Sequence, residues 1–247
     1  MRFPALPLLA TLMAVSAAPL VAQQPNVTTF ITVRGKDTIA VEQYERVGNT
    51  VTGVQVSHQA STVVHDFVLT LGADGMPVRF EMSLSFSDAT GNIAPSDIRY
   101  ALEFGADSAL LVTGRNNPQT QRIAMKGGAY PSFGNMFGYD LGLARLRAAH
   151  ADSGDIVVTN LGGNTATPSR ALAARFVGAD SALVGTAHVK VDRDGHLLGW
   201  RLAGGGEGRR VPPIDMQKLL AGFSAARAAP PGQRFPEYPR TFGKLMR

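Results

Sequence analysis

The chain has 247 residues, a formal net charge of +5, 45% hydrophobic residues and no cysteine. Without cysteine there is no disulfide framework, no thiolate metal site and no residue for lipoprotein anchoring. The basic residues are dispersed except for Arg209-Arg210 and the C-terminal tail, with no stripe and no interleaved aromatics. This pattern suits a soluble basic surface and argues against a nucleic-acid partner.

Residues 1–22 read as a cleavable secretory signal. Arg2 is followed by a largely apolar run from Phe3 to Ala18, then by Leu20-Val21-Ala22 ahead of the polar pair Gln23-Gln24. Cleavage is expected after Ala22. The alternative is an uncleaved membrane anchor, but Pro4, Pro7 and Pro19 would each remove a helical hydrogen bond that lipid cannot replace. No other stretch is apolar enough to span a bilayer, so no transmembrane span is expected after cleavage. The mature chain is expected to be exported, in the periplasm or secreted. Its 225 residues suit one all-β domain stabilised by burial alone.

From Val27 onward, short segments rich in Val, Thr, Ile and Phe alternate with period two between turn residues, the pattern of antiparallel strands. Strands are expected at about 27–34, 37–47, 50–57, 62–72, 76–86, 98–104, 108–114, 119–125, 156–160, 170–177, 181–191 and 195–202. Gly48-Asn49, Asp74-Gly75 and Asp194-Gly195 tolerate positive φ and mark tight hairpins. Around the second, alternation places Val63, His65, Phe67, Leu69 and Leu71 on one face. Across the turn it places Val78, Phe80, Met82, Leu84 and Phe86 together, with Arg79, Glu81, Ser83 and Ser85 toward water. Gly105-Ala106-Asp107-Ser108-Ala109-Leu110 recurs as Gly178-Ala179-Asp180-Ser181-Ala182-Leu183, either a duplicated hairpin or one good turn sequence used twice.

A helix is expected from Ser132, as N-cap, to about His150, with Phe133, Met136, Phe137, Leu141 and Ala144 as its apolar stripe lying on the sheet. Gly134, Gly138 and Gly142 recur every four residues along it, which predicts a close neighbour on that face. Gly204 to Gly208 reads as a flexible link into a second helix at about Asp215 to Ala228, followed by a Pro-rich basic tail from Pro230 to Arg247. The expected organisation is therefore a signal over 1–22, a β-rich domain over 23–203, and a link, helix and tail over 204–247. The fold class is mainly β: a curved antiparallel sheet of about a dozen strands, half-barrel or split barrel, with a covering helix and a C-terminal helix.

No catalytic constellation stands out. His58, His65, His150, His188 and His196 have no zinc-helix spacing, and no metal is expected. His65 falls on the inward face, where a polar ring needs a partner or lines a cavity; Asp66 points to the opposite face. Thr186, His188, Lys190 and Asp192 share a strand face that reads as solvent-exposed. Asp192-Arg193-Asp194-Gly195 opens like a calcium loop but lacks the remaining ligands, and the Asp-Gly turn accounts for it. Tyr130 stands where a Gly-x-Ser-x-Gly elbow around Ser132 would need glycine. The runs at Leu161-Gly162-Gly163-Asn164 and 204–208 carry no phosphate or dinucleotide fingerprint, so no cofactor is expected. Asn26-Val27-Thr28 matches a glycosylation sequon.

Asp37-Thr38-Ile39-Ala40-Val41-Glu42, the turns at Gly48-Asn49 and Asp74-Gly75, and a central helix entered through Tyr130-Pro131-Ser132 together resemble uncharacterised exported bacterial β-rich proteins. In element order the chain is also similar to periplasmic lipoprotein carriers, half-barrels whose concave side is covered by helices. That resemblance implies an apolar, lipid-holding face lined by Phe67, Leu69, Phe80, Met82, Leu84 and Phe86, with His65 beside them. The functional expectation is a non-catalytic periplasmic module binding an apolar small molecule or lipid, or an envelope protein. The alternatives are a hydrolase or other enzyme using His65 or the His188 cluster, and a structural envelope protein using the basic tail. The same apolar face would equally serve as ordinary core beneath the helix.

Overall fold

The computed structural model describes residues 27–35, 37–58, 62–87, 92–114, 116–125, 127–162, 165–201 and 206–220. The expected signal, Asn26 of the sequon and the C-terminal tail lie outside them. Before the helix come β1 (Val27–Arg34), β2 (Asp37–Val47), β3 (Thr50–His58), β4 (Thr62–Leu71), β5 (Pro77–Ser87), β6 (Ile93–Phe104), β7 (Ser108–Thr113), β8 (Gln119–Ala124) and β9 (Tyr130–Ser132). After α1 (Phe137–Ala148) come β10 (Ser153–Gly162), β11 (Thr165–Ala166), β12 (Arg170–Phe176), β13 (Ser181–Val184), β14 (Ala187–Val191), β15 (Leu197–Arg201) and β16 (Gly206–Val211).

These strands form a single sheet in the order β11-β10-β12-β13-β14-β15-β16-β1-β2-β3-β4-β5-β6-β7-β8. Neighbours on this path are antiparallel; β9 adds in parallel to β10 through Val158↔Tyr130. The ends of the path, β8 and β11, do not pair. They approach where the Thr165 hydroxyl lies 3.5 Å from Gln121 Oε1. The architecture is the mainly β, curved antiparallel sheet expected from the alternation, with more and shorter strands, and the sheet is unclosed.

Local chemistry explains most of it. The three expected hairpins form β2–β3, β4–β5 and β14–β15, with Gly48, Gly75 and Gly195 at φ +59°, +77° and +84°. On β4 and β5, Phe67, Leu69, Phe80, Met82 and Leu84 are buried. The outer side carries the exposed ion-pair chain Arg79–Glu81–Arg99. Val78 departs from the expected inward face and is 43% exposed. Leu71 pairs with Pro77 while Thr70 pairs with Arg79, so Val78 sits in a bulge and turns outward. The two Gly-Ala-Asp-Ser segments are both turns, closed by Gly105 N–H to Ser108 C=O at 2.8 Å and by Val177 N–H to Ser181 C=O at 3.0 Å.

Four expectations need correction. The helix starts at Phe137, not Ser132; Ser132 belongs to β9, and the residue at the N-cap, Met136, makes no side-chain cap. Of the three spaced glycines, Gly138 and Gly142 do permit close approach: an added Cβ would lie 3.0 Å from Tyr130 Cβ and 2.9 Å from Ile156 Cγ2. Gly134 instead precedes the helix, at φ +87°. The expected strand over 181–191 is broken by the Gly185-Thr186 turn into β13 and β14. The glycine run continues the sheet, because residues 206–208 belong to β16, between β15 and β1. There Gly208 faces Trp200, and a Cβ would meet the indole Cζ2 at 1.8 Å. This glycine makes room for a ring, so the β-domain runs past residue 203 to Val211.

Helix α1 is buried nearly all round, through Phe137, Asp140, Leu141, Leu143 and Leu146, as a helix enclosed by a sheet must be. Residues 216–220 are helical on the outer side of the sheet, where Leu219 packs with Ile31, Val41, Val56 and Val64. Asp215, expected to begin this helix, precedes it and accepts the Lys218 amide, and residues 221–228 lie outside the described residues. Among the described residues, no helix is long and apolar enough to cross a membrane.

Candidate functional site

The face expected to line a lipid surface is filled. Phe67 stacks on Phe137 at 4.5 Å between ring centroids, and Phe133 packs against both Phe67 and Phe80. Phe67, Leu69, Phe80, Met82 and Leu84 are core beneath the 133–137 segment, and Phe86 is partly buried against that core. His65 stacks on Phe133 at 4.9 Å. Its neighbours across the sheet are Gln55 and Leu84, and among the described residues no carboxylate orients it. Burial pushes its pKa down to about 4, opposed by a hydrogen bond with the Gln55 backbone. His188 and Lys190 face solvent. Asp192 Oδ1 accepts the amide N–H groups of Asp194 and His196 and so closes the β14–β15 turn.

A buried polar cluster lies elsewhere. Alternation along β2 turns Glu42 and Tyr44 inward, and both are buried. The Glu42 carboxyl accepts the Met136 and Phe137 amides, each at 2.7 Å. These are among the unpaired donors at the positive end of α1, so a side chain remote in sequence does the capping. Burial pushes Glu42 up to about 7; the two amides oppose the shift and the charge of Asp140 adds to it. Asp140, fully buried on α1, accepts the Tyr44 hydroxyl, the Leu197 amide at 2.5 Å and His196 Nδ1 at 3.0 Å. The hydrogen bond to Asp140 raises the His196 pKa against partial burial. Burial, then the charge of Asp140, raises Tyr44 well above the usual phenol range. An imidazole held by a buried carboxylate resembles half of a catalytic relay. Here Asp140 instead joins β2, α1 and the start of β15, and His196 hydrogen-bonds to no nucleophile among the described residues.

The open space is on the other half of the barrel. A cleft of about 370 Å³ lies between the 132–139 segment and strands β12–β15, with Thr32 of β1 also lining it. Met136, Tyr139, Leu172, Val184, Ala187, Val189, Leu197 and Trp200 supply apolar walls; Ser132, Asn135, Thr186 and Arg170 supply polar groups. Trp200 is 4% exposed, and its indole N–H has no acceptor among the described residues. A second hollow, of about 290 Å³, lies on the outer face over Gly53 and is bordered by Asp66, Glu81 and Arg99.

Neither the cluster nor the cleft was anticipated from the sequence. A signal for the cluster existed: Thr38, Ala40, Glu42 and Tyr44 share one strand parity and are all buried, which puts a carboxylate inside. Asp140, four residues after Met136 and three before Leu143, falls within the helix's apolar stripe. The cleft residues carried no such mark.

The chain is similar to a crystal structure of a β-barrel-like protein of the domain of unknown function DUF1849 from Brucella abortus, at 10% identity and a TM-score of 0.48. The match covers 76% of this chain and 95% of that one. No family model and no curated protein matches the chain.

Proposed function

We propose that this chain is an exported, non-catalytic module that binds a small apolar molecule in the cleft between residues 132–139 and β12–β15. The observation that carries this reading is the cleft itself, a largely apolar space of about 370 Å³ in a barrel whose other half is filled with aromatic rings. Its size and lining, apolar walls with a few polar groups, are those of small-ligand sites. The resemblance to periplasmic lipoprotein carriers points to the same ligand class. In this reading the ligand meets Leu172, Val184, Val189 and Trp200 of the cleft, in place of Phe67, Leu69, Phe80, Met82, Leu84 and Phe86, which are core. The enzymatic alternative loses support: His65 is covered by Phe133, His188 faces water, and Asp140–His196 is committed to anchoring the helix.

The test is native mass spectrometry of the gently purified protein, followed by uptake of fatty acids and phospholipids. Ala187→Trp, which places an indole in the cleft from a half-buried position, is expected to abolish the adduct or the uptake while the folded signal persists. A clean mass with no uptake, or undiminished binding by Ala187→Trp, overturns the reading.

A further inference from the structure

Resting on the cleft reading above, we infer that the ligand is an amphiphile with an anionic head, seated so that Arg170 receives the head and the walls of β13–β15 receive the chain. The charge of the cleft carries the argument. Arg170, at the exposed start of β12, is the one charged residue among those lining the space, and no carboxylate lines it. Among the described residues Arg170 has no ion-pair or hydrogen-bonded acceptor, and unlike the other arginines without a carboxylate partner it lines the cleft. Glu42 and Asp140, which hold the amides of the lining residues Met136 and Leu197, are spent on buried donors. A guanidinium at the edge of an apolar cleft presents a planar fork suited to a carboxylate or a phosphate.

The rest of the lining agrees. The Trp200 indole N–H is an unspent buried donor on a lining residue, and Ser132 and Thr186 bring hydroxyls to the rim. Deeper in, Leu172, Val184 and Val189 offer nothing to a polar group. The volume admits one alkyl chain of medium length, not the paired chains of a phospholipid. One apolar pocket with one unpaired cation at its edge thus matches a single-chain anionic lipid in both shape and charge.

The experiment compares dodecanoate, dodecyl phosphate and dodecanol, three probes with the same chain, by calorimetric titration of the wild-type protein and of Arg170→Gln. At least one anionic probe is expected to bind about tenfold tighter than dodecanol, the usual scale of a charge-assisted contact. That advantage should weaken with added salt and fall to about twofold in Arg170→Gln, with dodecanol binding unchanged. Which anion gains more tells a carboxylate head from a phosphate head. Equal binding of all three probes, or an advantage that survives Arg170→Gln, overturns the head-group inference and leaves the cleft reading standing. Failure of all three to bind removes both.

Discussion

The two halves of the barrel use the same strand chemistry to opposite ends. Strands β2–β6 are long, and their inward Tyr44, Phe67, Phe80 and Met82 meet Phe133 and Phe137 from the central segment, so that half is solid. Strands β12–β15 are four to seven residues long and, Trp200 apart, turn smaller groups inward, among them Ala174, Ala182, Val184 and Val189. Tyr139 borders the space above them, but among the described residues no ring stacks on them as Phe133 does on His65, Phe67 and Phe80. Alternation decides which side chains face in, and what stands opposite them decides whether the result is core or cleft.

The sharpest way to break this contrast is to cut the link between the halves. Asp140→Ala strands the Tyr44 hydroxyl, the Leu197 amide and His196 together, and is expected to cost about 3–5 kcal/mol in urea unfolding. Asp140→Asn, which keeps an acceptor for the Leu197 amide, should cost less; equal costs would show that the carboxylate does not bridge the halves. Next come paired truncations. Phe67→Ala should cost about 3–4 kcal/mol, and Leu172→Ala, on a half-buried side chain facing open space, about 1 kcal/mol. Comparable losses would mean that the cleft half is as tightly packed as the other.

A smaller effect follows from pH. Glu42 has a folded pKa of about 7 against an ordinary 4.5, so the folded protein holds a proton that the unfolded chain releases. Its contribution to stability therefore falls as pH rises from 4.5 through about 7, by at most about 1.4 kcal/mol per pH unit. His65, at about 4 against 6.5, acts in the opposite sense: stability is lost as pH falls from 6.5 toward 4. The wild type should thus change little over the shared window, while Glu42→Gln exposes the His65 slope and gains stability with rising pH. A flat profile in that variant would mean that His65 is not held neutral. The smallest effect is at the exposed turn-proximal strand: His188→Ala should stay within about 0.5 kcal/mol and leave cleft binding intact.

Features set within a few residues were legible in advance. Gly48, Gly75 and Gly195 occupy the positive-φ positions their hairpins require, and the β4–β5 face follows from parity up to the bulge at Val78. Features set by distant partners were not. The cap of α1 comes from Glu42, 94 residues before Met136, so Ser132 was a reasonable local choice that tertiary structure overrode. Gly206-Glu207-Gly208 has a linker's composition and becomes a strand because Trp200 needs the space that a side chain would fill. Arg170 and Trp200 come together through the path of the sheet, which no local period records.

Strand β16 beside β1 also sets an order of assembly. The hairpin series β1–β8 and β12–β15 consist of neighbours in sequence and can zip up as they appear. The seam between them joins Thr28 to Arg210 across a separation of 182 residues. Closing so large a loop is slow, because its entropy is lost before the contacts it allows are gained. Until Gly206–Val211 arrives, β1 and β15 both stand as bare edges open to pairing with other chains. Because β16 lies late in the chain, that interval lasts until residues 206–211 have been made.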